Sequence, residues 1–158
     1  VYSVACCLMA FRELDDEEYH PQMEEWAEML ADWQKSDGTW GYPGGAADLS
    51  NTQYAALGLH AAWKSGIKVR DRVWTRLLHG VVSYQEEPHT VTAADVGAST
   101  GSGEQTIAGF TYRPDNAHKA TGSMTTASRV AWSQTRYVRV KVRGSKKVLI
   151  CMVGLPGG

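Results

Sequence analysis

The run WQKSDGTWGY at 33–42 constrains the fold most, because a degenerate copy, AGFTYRP, returns at 108–114. Each copy follows one stretch of helical periodicity and precedes another. A helix–turn–helix unit that recurs at a spacing of tens of residues is the pattern of stacked or ring-closed repeat architectures.

The flanks bear this out one by one. Val4, Leu8, Phe11 and Leu14 predict an amphipathic helix over 2–14. The acidic run Asp15 to Glu18 reads as a solvated connector, and His20-Pro21 opens a second helix with proline at a first-turn position. Its stripe is Met23, Trp26, Leu30 and Trp33. Ser50, with Gln53 three residues later, reads as the capping box of a third helix. From Tyr54 to Trp63 that helix is apolar on every face except at His60, so it is expected to be buried on all sides. A fourth helix from about Asp71 to Gln85 is one-faced again, with Trp74, Leu77, Val81 and Tyr84 as its stripe. Residues 87–107 read as an unstructured loop, and a fifth helix is expected near Thr121, capped by it or by Ser123. An all-apolar helix alternating with one-faced helices describes an inner ring wrapped by an outer ring. The expected fold is all-α, an incomplete α/α toroid of helical hairpins over 1–127, followed by an atypical tail at 128–158.

Composition adds limits rather than identity. The 158 residues are 43% hydrophobic and 21% charged, the balance of an ordinary globular chain able to bury one sizeable core. No apolar run approaches the roughly 18 residues that a membrane-spanning helix needs. The opening YSVACCLMAF already reads as mid-helix, so the chain is expected to be part of a longer protein; its signal peptide and compartment are left open. Cys6, Cys7 and Cys151 are odd in number, imply no disulfide framework and read as buried free thiols.

The turn also carries a resemblance. Gln34, Gly38 and Trp40 fit the Q-x(2–3)-G-x-W turn of the repeat family shared by squalene/hopene-type triterpene cyclases and protein prenyltransferase β subunits, and Tyr42-Pro43 extends it. DLSNTQYAALGL at 48–59, Val73-Trp74 and ATGSMTTA at 120–127 are similar to a bacterial subgroup known only as prenyltransferase/squalene oxidase repeat proteins. The resemblance covers roughly 1–127 and implies the terpenoid cyclase/prenyltransferase toroid of about a dozen helices. Such a fragment would leave inner-helix faces exposed and be prone to aggregate alone. In that family the turn is structural. Gln34, Gly38, Trp40 and Gly41 are therefore expected to clamp helices together, glutamine bonding at a helix end and tryptophan shielding it.

Chemistry is sparse. The D-x-D-D acid of a cyclase and the zinc-binding Asp/Cys/His set of a prenyltransferase are absent, and the five histidines are dispersed, with His60 and His79 read as core or interface residues. No metal and no cofactor are expected. GSGEQ at 101–105 is one residue from the thioester sequence GCGEQ, but Ser102 replaces the cysteine that forms the thioester, so coincidence is the better account. What remains is a cavity rim of Tyr42, Asp48, Asn51 and Gln53, where exposed helix N–H groups would favour an anionic or polar ligand. Simple capping of the third helix by Asp48, Ser50 and Gln53 is the competing reading. Two functions stay open: a non-catalytic scaffold or binding module, or part of an isoprenoid-handling enzyme whose reactive residues lie elsewhere. Carbohydrate chemistry, which α/α barrels also host, is a third. The partner implied is an apolar or isoprenoid-like small molecule rather than nucleic acid.

The tail changes grammar. Residues 1–115 hold all 17 acids and 8 bases, whereas 116–158 hold 8 bases and no acid. YVRVKVRGSKKVLICMV alternates apolar and basic residues around Gly144-Ser145 and reads as a basic β-hairpin. It could contact nucleic acid or an acidic partner, be disordered, or record a one-base slip near Ala127. The slip accounts at once for the lost helical pattern, the vanished acids and the early stop. Reading the gene in its other two frames tests it.

Overall fold

The computed structural model describes residues 1–14, 17–87, 89–92, 104–113, 139–141 and 148–150. This part is mostly helical, with α1 (Tyr2–Leu14), α2 (His20–Asp32), α3 (Leu49–Lys64) and α4 (Asp71–Val82). A 3-10 turn at Glu17–Tyr19 leads into α2, whose second residue is Pro21. Proline fits there because the first-turn N–H has no helical partner to lose.

Core packing centres on α3, which touches each of the other three helices. Leu49, Ala55, Ala56, Leu59, Ala61 and Ala62 are all buried, and no residue from Tyr54 to Trp63 is exposed. Small residues allow this crowding. A Cβ on Gly58 would stand 2.7 Å from the Ala5 Cα, so the α1 and α3 backbones meet at near-minimal separation. Tyr2 reaches Ser50 and Tyr54 near the start of α3, Ala5 meets Gly58, and Arg12 bears electrostatically on His60. Contacts thus climb both helices in the same direction, and α1 and α3 run parallel. Phe11 stacks on Tyr19 and on Trp26, closing the α1–α2 hairpin.

The stripes differ in detail from their expected form. Leu8, Met23 and Leu30 are buried, but Leu14 is 59% exposed and Trp33 is 45% exposed. Leu14 is the last residue of α1, and Trp33 lies one residue past α2, so both sit at helix ends. Trp74, Leu77 and Val81 of α4 are buried, as is Tyr84, which lies in the turn past Val82 because the helix ends before the expected Gln85. Cys6 is exposed and Cys7 half-buried, which corrects the reading of both as buried thiols; Cys151 lies outside the described residues. His79 is exposed rather than a core residue.

Two antiparallel strand pairs accompany the helices. β1 (His89–Thr92) pairs with β2 (Glu104–Ile107), Thr90 opposite Thr106, so paired strands frame the segment read as an unstructured loop. Threonine, valine and isoleucine suit a pleated surface, but four-residue runs are too short to stand out in a polar stretch. β3 (Arg139–Lys141) pairs with β4 (Val148–Ile150) in the tail. The fifth helix expected near Thr121 and the three glycine-and-serine residues opening GSGEQ lie outside the described residues.

Candidate functional site

The first turn is held by side chains whose polar atoms are already committed. Gln34 is buried, and its Nε2 donates to the Gly38 carbonyl and to the Val73 carbonyl in α4, both at 2.9 Å. Asp37 accepts from the Thr39 backbone N–H at 2.9 Å and from its hydroxyl at 2.6 Å. Arg76 donates to the Lys35 carbonyl. Gly38 has φ +89°, and a Cβ on it would fall 1.9 Å from the Arg76 carbonyl oxygen. Gly80 meets the same turn from the α4 side, where a Cβ would stand 2.6 Å from the Asp37 carbonyl oxygen. Glycines on both partners therefore let α4 lie with its backbone against the turn.

Trp40 does the work expected of the glutamine. At the end of α2 the Gln34 backbone N–H turns to the Ala31 carbonyl at 3.4 Å, away from the Leu30 carbonyl that an α-helical continuation would use. The fully buried indole Nε1 donates to that Leu30 carbonyl at 2.7 Å. Gln34 instead ties the turn to α4. A Cβ on Gly41 would lie 2.2 Å from the Ala46 carbonyl oxygen, at the bridge where Gly41 pairs with Ala47.

The expected rim divides. Asp48, not Ser50, caps α3, because its Oδ1 accepts from the Asn51 N–H at 2.7 Å and its Oδ2 from Asn51 Nδ2 at 2.8 Å. Both residues are buried; Gln53 is half-buried on the helix, and Tyr42 is 57% exposed. The Leu49 N–H is taken by the Tyr112 carbonyl at 3.1 Å. The Leu49 and Asn51 N–H groups are thus occupied, with the Asp48 carboxylate beside them, which is the arrangement of a helix cap.

The structure gathers different residues around Asp48. Tyr2 and Ser50 share a hydrogen bond of 2.6 Å, and the Tyr2 ring lies 4.4 Å from Tyr54 and 6.1 Å from Tyr42, centroid to centroid. Tyr112 arrives from the second turn, which docks through Thr111 N–H to the Tyr84 carbonyl (2.9 Å) and Glu86 N–H to the Gly109 carbonyl (2.9 Å). Aligning the two turn copies matches Trp40 with Phe110, both buried, and Tyr42 with Tyr112. Burial, reinforced by Tyr42, Asp48 and Tyr112, pushes the Tyr2 phenol above its ordinary value against the opposing bond with Ser50. Burial, then Asp48 and Tyr42, push Tyr112 up too, with Arg113 opposing. Only the correspondence of Tyr42 and Tyr112 in the repeat was a signal for this cluster in sequence; Tyr2 and Ser50 lie 48 positions apart.

Two buried polar atoms nearby, Asn51 Oδ1 and the Tyr84 hydroxyl, have no hydrogen-bond partner. Burial pushes the Tyr84 phenol up to about 12; the neighbouring Thr39 hydroxyl opposes this but is committed to Asp37. An open cleft of about 200 Å³ adjoins Tyr42, lined also by Val1, Trp33, Lys35, Gly41, Pro43 and Gly44. Among the described residues no group of three or more His, Cys, Asp or Glu is placed to hold a metal ion, and no helix is long and apolar enough to cross a membrane. No protein-family model, curated protein or solved structure matches the chain.

Proposed function

We propose that the chain is a repeat-type helical scaffold acting as a binding module, built on the α/α-toroid plan of the terpenoid cyclase/prenyltransferase repeat proteins it resembles. The observation that carries this reading is the commitment of the turn. Gln34 Nε2 and Trp40 Nε1 spend their donors on backbone carbonyls of Gly38, Val73 and Leu30. A conspicuous motif used up in this way joins helices and leaves no reagent. The central α3, with no exposed residue from Leu49 to Trp63, and the parallel α1 and α3 joined through α2 fit inner helices backed by an outer one.

The complete gene tests the reading. Further copies of the glutamine–glycine–tryptophan turn, without a D-x-D-D acid or a zinc-ligand set, are the expected outcome. Either catalytic set would move the assignment to an isoprenoid-handling enzyme. A gene with no further copy of the turn would overturn the repeat reading altogether.

A further inference from the structure

We propose that the Asp37–Gly38 peptide is a site of isoaspartate formation that the folded turn holds closed, so that this backbone modification proceeds only when α4 releases the turn; it holds whether or not the chain is a binding module. An aspartyl carboxyl is most open to attack by the next backbone nitrogen when glycine follows, because glycine has no Cβ to hinder the approach. The chain has one Asp-Gly and no Asn-Gly, and the Asp-Gly lies inside the turn motif. In the reaction the Gly38 nitrogen gives up its proton and bonds to Asp37 Cγ, while one carboxyl oxygen leaves as water and a five-membered imide closes. Water then adds back. Opening at the Cγ carbonyl restores aspartate; opening at the α-carbonyl routes the main chain through Cβ and Cγ and leaves the α-carboxylate as the side group. Water is the only other reactant.

Both reacting groups are held in the fold. The Gly38 N–H donates to the Lys35 carbonyl at 2.9 Å, which keeps its proton from bases in solvent. Asp37 Oδ1 accepts from the Thr39 N–H at 2.9 Å and from the Thr39 hydroxyl at 2.6 Å, which fixes the orientation of the carboxyl group. Helix α4 locks this arrangement. Arg76 donates to the same Lys35 carbonyl, and Gly80 lies so close that a Cβ on it would stand 2.6 Å from the Asp37 carbonyl oxygen. The Asp37–Gly38 peptide plane therefore has no room to swing while α4 is in place. Asp37 itself is exposed, so water reaches it as soon as the turn opens. Isoaspartate adds one methylene to the main chain, removes the carboxylate from Thr39 and shifts Trp40 away from the Leu30 carbonyl. A converted turn would not close again, and the modification would record each opening of the clamp.

The test is timed incubation of the purified 158-residue chain in heavy-oxygen water, in parallel with the same chain in guanidinium chloride and with a synthetic peptide of residues 33–42. Label uptake at Asp37 and the isoaspartate formed are read by peptide mapping and mass spectrometry. The peptide and the denatured chain are expected to convert at matching rates. The native chain is expected to be at least about ten-fold slower, because its rate follows the small population of open turns. Thr39→Val keeps the side-chain volume but removes the 2.6 Å bond, and should speed native conversion about three-fold with an unchanged circular dichroism spectrum. Arg76→Met, at a half-buried side chain, makes the same comparison from the α4 side and keeps the test decisive should Thr39→Val not fold. A native chain that converts as fast as the peptide, a peptide that forms no isoaspartate, or folded variants no faster than the parent would each overturn the proposal.

Discussion

Trp40 donates its indole N–H to the carbonyl oxygen of Leu30 at 2.7 Å, so the second helix is finished by a side chain from the turn that follows it. Trp40→Phe keeps an aromatic ring but leaves a buried carbonyl unpaired, at a cost of about 1–3 kcal/mol. The smaller ring adds a cavity penalty. Urea denaturation should show the lower midpoint with an unchanged slope; a midpoint equal to the parent chain's would mean that water replaces the indole, and that the turn is not a clamp.

Gly38 and Gly44 both have positive φ, +89° and +70°, yet they should respond differently to alanine. At Gly44 nothing lies within 4 Å of the new Cβ, so only the left-handed backbone penalty of about 1 kcal/mol applies. At Gly38 the same penalty is joined by a collision with the Arg76 carbonyl oxygen in α4. Gly38→Ala should therefore cost clearly more than Gly44→Ala in parallel thermal melts. Equal losses would show that α4 is free to move off the turn.

Tyr84 offers a prediction in the opposite direction. Its hydroxyl is buried and unpartnered, so Tyr84→Phe removes a desolvated group without breaking a bond, and stability should hold or rise by about 1 kcal/mol. Because its folded pKa stands at about 12, the folded state keeps its proton where the unfolded state, at the ordinary value near 10, has lost it. Stability from this group is complete below pH 10 and lost as pH rises toward 12. The phenylalanine variant should show a shallower alkaline decline over that window in pH-resolved denaturation. A decline as steep as the parent's would place the cause elsewhere.

His60 works in the acid range. Burial, with Arg12 and Lys64 nearby, holds its pKa below 6.5, so the unfolded chain binds the proton first as pH falls. Its contribution is present above the unfolded pKa and lost as pH drops through that value toward the folded one. His60→Gln should flatten the stability profile as pH falls through and below the ordinary histidine value of about 6.5. Identical slopes in the two proteins would rule the histidine out as the titrating group.

The sequence made the helices legible because periodicity is local: α1 begins and ends where Val4, Leu8 and Phe11 place it, and α3 is as central as its all-apolar character requires. Cap chemistry was less legible. Ser50 and Gln53 have the spacing of a capping box, but Asp48 two residues earlier reaches the Asn51 N–H and starts the helix at Leu49. Ser50 is thereby released to bond Tyr2. The division of labour between Gln34 and Trp40 depends on where α2 stops relative to the turn, which no spacing rule gives. The tyrosine cluster was hidden for another reason. Its members come from the start of α1, both turns and α3; the packing of α1 on α3 joins Tyr2 to Tyr54, and the docked second turn adds Tyr112.

The close backbone approach of α1 and α3 at Gly58 supplies the last prediction. Replacing Gly58 by alanine would raise helix propensity by about 1 kcal/mol in isolation. Here the added Cβ would stand 2.7 Å from the Ala5 Cα and 2.9 Å from its Cβ, contacts that must be relieved by spreading α1 from α3. Overpacking of this kind costs about 1–3 kcal/mol, so it should match or exceed the gain, and the net effect should be destabilising by up to about 2 kcal/mol. Adding Ala5→Gly removes the contact at 2.9 Å but not the one at 2.7 Å, so it should restore only part of the loss once its own effect is subtracted in a double-mutant cycle. Full restoration would mean that the side chain alone limits the approach. A stabilised Gly58→Ala would mean that α1 and α3 are not packed backbone to backbone, and with that the parallel pair at the centre of the fold would be lost.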